Sequence, residues 1–204
     1  MDDIAGLGQV VILNGAPRSG KSSIAAAMQE SLEGIWMNLG VDLYMKATPQ
    51  RYQPSIGLRP GEEQHAVYPL VPRLYAALYE GVAAIARSGL NVVVDAGHHD
   101  RGILADCARR LDGLHALFVG VHCPLEEVMR RRIETWGPDG RVTEQEPVPE
   151  PVRRWQAAVH GRWPYDLEVD TSILSAEECA ARIAARLASG PGTALAAIGG
   201  SVQL

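Results

Sequence analysis

This chain of 204 residues has no long basic block, no C-x-x-C pair and no run of about 18 consecutive apolar residues. Each absence narrows the function. Without a basic block, and at a net charge of −5, the sequence offers no surface for nucleic acid or an anionic membrane. Without an apolar run of spanning length, no membrane segment is expected. Cys107, Cys123 and Cys179 are scattered, which favours buried reduced thiols over disulfides or metal ligands. Met1-Asp2-Asp3-Ile4 is acidic, opposite in charge to the start of a secretory leader. The cytoplasm is the expected compartment, and one α/β domain with a sizeable core is the expected organisation.

What the chain does have is Gly15-Ala16-Pro17-Arg18-Ser19-Gly20-Lys21-Ser22, which fits G-x-x-x-x-G-K-[ST] at every fixed position. The apolar run Gln9 to Asn14 precedes it and reads as a buried parallel strand; Ser23 to Glu30 follows and reads as a helix. In that setting the loop's backbone N–H groups, from Gly15 through Ser23, close around a phosphate, and the helix N-terminus adds a favourable dipole. Lys21 is placed to reach the β- and γ-phosphates, and the Ser22 hydroxyl to ligate Mg²⁺. The motif predicts a nucleoside triphosphate site, with ATP and Mg²⁺ as the bound pair.

Downstream, apolar runs and helical patterns alternate, the pattern of a mainly parallel sheet with helices on both faces. Strands are expected at Ile35 to Val41, Asn91 to Asp95, Ala116 to His122 and Leu167 to Asp170. Helices are expected over Leu70 to Arg87, Ile103 to Leu111, Leu125 to Glu134, Val152 to His160 and Ala176 to Leu187. Residues 43–64 read as an irregular excursion and Val142 to Pro151 as a mobile surface segment, both rich in proline or glycine. The domain is expected to span residues 1–188 with a small lid at about 130–151, followed by a flexible, uncharged tail at 189–204.

Asp42 falls at the carboxyl end of the expected second strand, where open α/β sheets place their ligands. It reads either as a base accepting a proton from an acceptor hydroxyl or as a helix N-cap, and position alone leaves both open. Asp95 ends the third strand and reads as the carboxylate that positions Mg²⁺, or again as a cap. His98-His99-Asp100 lacks further ligands at zinc spacing, so a loop lining the acceptor pocket is favoured over a metal site. Arg130, Arg131, Arg132 and Arg141 form a basic cluster. Successive helical residues point about 100° apart, so only one or two can reach a triphosphate, the rest facing solvent or Glu126, Glu127 and Glu134. Tyr44, Met45, Tyr52, Leu58, Arg59, Tyr68 and Tyr75 are candidate acceptor-pocket residues, with Tyr75 also fitting a core stripe.

Four segments in order resemble the chloramphenicol 3-O-phosphotransferase family, part of the P-loop kinase-like group. They are Ile12-Leu13-Asn14-Gly15, Gly40-Val41-Asp42, Arg132 to Arg141, and His160 through Tyr165-Asp166-Leu167-Glu168-Val169-Asp170-Thr171. The resemblance implies a three-layer P-loop fold with a five-stranded parallel sheet ordered 2-3-1-4-5. It implies ATP- and Mg²⁺-dependent phosphorylation of a small-molecule hydroxyl, Asp42 as base and Arg132 and Arg141 as lid arginines. Ala16-Pro17-Arg18, Pro54 to Gly61 and His98-His99-Asp100 depart from the family pattern, so chemistry transfers better than substrate. Chloramphenicol or a relative is the leading acceptor. A metabolic or nucleotide kinase of related fold, or a nucleotide-dependent regulatory protein, are the alternatives.

Overall fold

The computed structural model describes residues 6–53, 65–136, 148–161 and 163–200. Five parallel strands lie in the order β2-β3-β1-β4-β5, the order that the resemblance implies. They are β1 (Gln9–Asn14), β2 (Trp36–Asn38), β3 (Asn91–Ala96), β4 (His115–His122) and β5 (Leu167–Asp170). Central β1 is sandwiched in register, Leu13 opposite Asp95 on β3 and opposite Val119 on β4. Its Val10 to Leu13 are fully buried, because a strand flanked on both edges and covered on both faces must be apolar at every position.

Helices α1 (Lys21–Ser31) and α7 (Ala176–Ala188) cover one face through Ile24, Met28, Cys179 and Ile183. Helices α3 (Val71–Arg87), α4 (Arg101–Arg110) and α8 (Ala194–Gly200) cover the other through Leu78, Val82, Leu104 and Ile198. Asp100 caps α4 by accepting from the Ile103 N–H at 2.8 Å, and Ser175 with Glu178 forms a capping box on α7. A smaller cluster of Cys123, Val128, Met129 and Val152 joins α5 (Leu125–Trp136) to α6 (Glu150–Val159).

Two expectations are corrected. The second strand is only three residues long, paired from Trp36 to Asn38 against Asn91 to Val93 of β3, and a helix, α2 (Val41–Ala47), starts where the strand was expected to end. Gly40 lies there, close against β3: a Cβ on it would stand 3.2 Å from the Asp95 backbone oxygen and Cβ, a tight contact that glycine avoids. The uncharged tail, expected to be flexible, folds in part as α8, which buries Ala194, Leu195 and Ile198. Asp166 holds it by accepting from the Thr193 and Ala194 N–H groups at 2.7 and 3.0 Å. Of the expected lid, the first residues belong to α5 and the last to α6; residues 137–147, Arg141 among them, lie outside the described residues, as do Leu58 and Arg59.

Candidate active site

At the carboxyl edge of β1 the chain turns from Asn14 into the glycine loop. A Cβ on Gly15 would sit 2.5 Å from both the Val121 carbonyl and the Ser19 hydroxyl, so only glycine fits. The turn is closed by Ser19 N–H donating to the Ala16 carbonyl at 3.1 Å. Arg18 (φ 71°) and Gly20 (φ 96°) both adopt left-handed backbone, a conformation that Arg18 holds at a cost in strain. Gly20 is the N-cap of α1 and supplies no side chain to bond its first N–H groups, which therefore remain available to an anion.

Lys21 opens α1 and is 9% exposed. Its ammonium donates to the Gly15 and Ala16 carbonyls at 3.0 and 2.9 Å and stands 3.6 Å from Asp95 Oδ1. Burial lowers its pKa from the ordinary lysine value; Asp95 opposes the shift most strongly, and Asp42 also opposes it. Both sequence-selected carboxylates therefore act on one ammonium. Ser22 Oγ donates to Asp95 Oδ2 at 2.5 Å. This hydroxyl–carboxylate pair fits Mg²⁺, a hard cation that takes one or two protein oxygens and completes its shell with water and phosphate.

The capping alternatives for the two aspartates are not what the fold uses. Gly40 occupies the N-cap of α2, with Asp42 exposed in the first helical turn, and Asp95 lies inside β3. The arginines divide as helical geometry requires. Arg130 bonds Glu127 and Glu134 on the exposed face. Arg131 donates to Thr171 Oγ1 at 3.0 Å and to the Thr171 carbonyl at 2.7 Å, and Thr171 Oγ1 in turn donates to the Ser19 carbonyl at 2.7 Å, a brace behind the loop. Arg132 is 3% exposed and lines a small recess with Ala16, Pro17, Arg18 and Trp155.

The histidines separate too. His98 is buried against Tyr75, Tyr79 and Phe118 and shares a hydrogen bond with the Tyr79 hydroxyl; burial pushes its pKa down to about 3. His99 is exposed and meets Trp155 edge-on at 4.7 Å. Among the described residues no group of three or more His, Cys, Asp or Glu side chains is placed to hold a metal by itself. The expectation that this whole loop lines the acceptor pocket thus fails for His98, whose ring belongs to the core. Of the other acceptor candidates, Tyr44, Met45 and Tyr75 come together with Val41, Val71, Leu74 and Leu78 around a small apolar recess between α2 and α3, while Tyr52 and Tyr68 are exposed.

The sequence assigns no role to Asn14, Trp155 or Thr171, and places Arg131 only within the basic cluster. Asn14 and Thr171 carry a signal there as members of the resembling segments. Trp155 reaches the site because α6 folds back over the loop, which no local pattern encodes.

Strand, glycine loop and helix, with a buried lysine beside a strand-end carboxylate in a 2-3-1-4-5 sheet, define a P-loop phosphotransferase of the kinase type. Solved structures share this fold. The APS kinase of Mycobacterium tuberculosis, solved with AMPPNP and APS, superposes with a TM-score of 0.66 at 16% identity, over 90% of this chain and 99% of that one. The tunicamycin resistance protein of Deinococcus radiodurans gives 0.61 at 20% identity, over 88% and 95%. Two Mycobacterium tuberculosis proteins with a provisional O-phosphotransferase name are each 29% identical, over 85% of this chain and 79% of theirs. The model of the chloramphenicol phosphotransferase-like protein family matches residues 8–188, and the chain belongs to that family.

Proposed function

We propose that this protein transfers the γ-phosphoryl group of ATP to a hydroxyl of a small molecule, with chloramphenicol or a related compound as the leading acceptor. The observation that carries the reading is the phosphate loop's buried Lys21 ammonium, 3.6 Å from Asp95 Oδ1 at the N-terminus of α1. The Asp42 carboxylate, whose charge also acts on that ammonium, has no use in a site that binds triphosphate only as a switch.

The groups divide the work as follows. The N–H groups of the loop and first turn hold the β- and γ-phosphates, and Lys21 leaves the Gly15 and Ala16 carbonyls to meet them. Ser22 and Asp95 would hold Mg²⁺, which when bound would neutralise phosphate charge. The acceptor oxygen attacks the γ-phosphorus in line; a new P–O bond forms as the bond to the β-phosphate oxygen breaks, and ADP leaves. The acceptor's proton passes to Asp42. Arg132 faces the recess at the loop and offsets the charge of the transferring group. The acceptor's body takes the apolar recess between α2 and α3, beside Asp42 on the same helix; that lining carries no charged side chain, which favours an uncharged acceptor over a nucleotide.

The test is incubation with Mg-ATP and a panel of chloramphenicol, aminoglycosides, macrolides, nucleosides and simple sugars, read by product mass. One added phosphoryl group on chloramphenicol is the expected result. A gain on another hydroxyl compound keeps the mechanism and reassigns the acceptor; ATP binding with no transfer to anything overturns the reading in favour of a switch.

A further inference from the structure

The last residue of β1 is a fully buried asparagine, and the mechanism above does not use it. Asn14 sits where the central strand gives way to Gly15, and its amide reaches three separate segments. Oδ1 accepts from the His98 backbone N–H at 2.5 Å, on the loop that follows Asp95. Nδ2 donates to the Val159 carbonyl at 2.9 Å, the last residue of α6, which carries Trp155 over the phosphate loop. The same nitrogen donates to the Tyr165 hydroxyl at 2.8 Å, just before β5. Because that hydroxyl accepts from Asn14, its own proton is free for His160 Nδ1, 3.0 Å away.

We propose that Asn14 is a positioning residue for phosphoryl transfer: it holds the phosphate loop, the loop behind Asp95 and the end of α6 in one register, so that donor and acceptor meet at Asp42. The inference rests on the kinase reading. Geometry supports it on two counts. Asparagine alone offers two donors and an acceptor in a plane at this length; leucine or valine would pack as well but would leave the His98 N–H and the Val159 carbonyl unbonded in the interior. Two of its three partners also lie within a few residues of a group in the site or its wall, His98 three after Asp95 and Val159 four after Trp155, and Asn14 itself is next to Gly15. Productive phosphoryl transfer depends on such placement, and an error of about 1 Å costs about a hundredfold in rate.

The experiment compares wild type, Asn14→Ala, Tyr165→Phe and the double variant, with an acceptor that wild type phosphorylates. Measured are kcat, the acceptor KM, the affinity for a non-hydrolysable ATP analogue, and hydrogen exchange over residues 97–99 and 156–161. Asn14→Ala is expected to lower kcat by about tenfold to a hundredfold, with nucleotide affinity within about threefold of wild type and faster exchange in both segments. Tyr165→Phe removes one hydroxyl, folds, and is expected to lower kcat severalfold; the double variant falls no further than Asn14→Ala, since the hydroxyl acts through the amide. Unchanged kcat in folded Asn14→Ala, a loss lying wholly in nucleotide affinity, or additive losses in the double variant would each overturn the inference. Should Asn14→Ala not fold, the kcat of Tyr165→Phe decides. Wild type that phosphorylates nothing overturns the proposed function and this inference together; an active wild type with unaffected variants overturns this inference alone.

Discussion

Asp42→Asn separates chemistry from architecture, because the structure places the two costs on different scales. Asp42 is exposed in the first turn of α2, and its side chain caps nothing. Removing its charge forfeits its attraction to Lys21 and its interaction with the dipole of a seven-residue helix, the latter at most about 1 kcal/mol, which for a chain of this length lowers Tm by about 2–4 °C. If Asp42 is the base, its removal costs about a hundredfold to ten-thousandfold in kcat, a barrier increase of about 2.7–5.4 kcal/mol. ATP affinity should hold or tighten, since a negative charge acting on Lys21 is withdrawn from the phosphate site. The assay is steady-state ADP release with the acceptor found in the panel, alongside nucleotide titration and thermal melting. Wild-type kcat in a folded Asp42→Asn protein would refute the base assignment. A kcat loss matched by an equal loss of ATP affinity would show instead that Asp42 organises the nucleotide.

Three further outcomes are expected. Leu74→Ala, in the apolar recess, should raise the acceptor KM by about tenfold and leave ATP affinity alone; an unchanged KM would place the acceptor elsewhere. Asp166→Ala strips the acceptor from the N–H groups of Phe118, Thr193 and Ala194, which at about 1 kcal/mol each should cost about 3 kcal/mol; a urea midpoint equal to that of wild type would contradict it. Stability should also fall as pH drops below about 6.5. Burial holds His98 neutral down to about 3, while the unfolded chain binds its proton from about 6.5 downward. Between those values the unfolded state carries more protons, so stability rises with pH there, by up to about 1.4 kcal/mol per unit. Urea titrations at pH 7.5, 6 and 5 should show that slope, flattened in His98→Gln; equal slopes in the two proteins would sink the assignment.

Legibility followed the range of the interaction. The glycine loop, Lys21 and Ser22 are local: a tight turn, a buried ammonium and a helix N-terminus are specified by eight consecutive residues. The β3 and β4 strands were as plain, because burial on both faces makes their central positions, Val92 to Val94 and Ala116 to Val119, apolar. The short edge strand β2 was not, since its length is set by how far it pairs with β3, Trp36 to Asn38 against Asn91 to Val93, 55 residues on in the chain. Nor was α8 legible: its glycines and lack of charge suggest a free end, and only the buried Asp166 and the face of α4 and β4 make it a helix.

By itself, then, the sequence determined that the chain carries a phosphate loop in an α/β domain, and which carboxylates are candidates to serve it, because those properties reside in short runs of residues. Tertiary structure alone decided which of three neighbouring arginines lines the recess at the loop, that His98 is a core residue rather than part of an acceptor-pocket wall, that Trp155 borders the site, and that Asn14 joins three segments. Those outcomes depend on which surfaces the sheet order brings together across 80 to 150 residues of chain, where each contact is fixed by packing and by the need to bond every buried polar group.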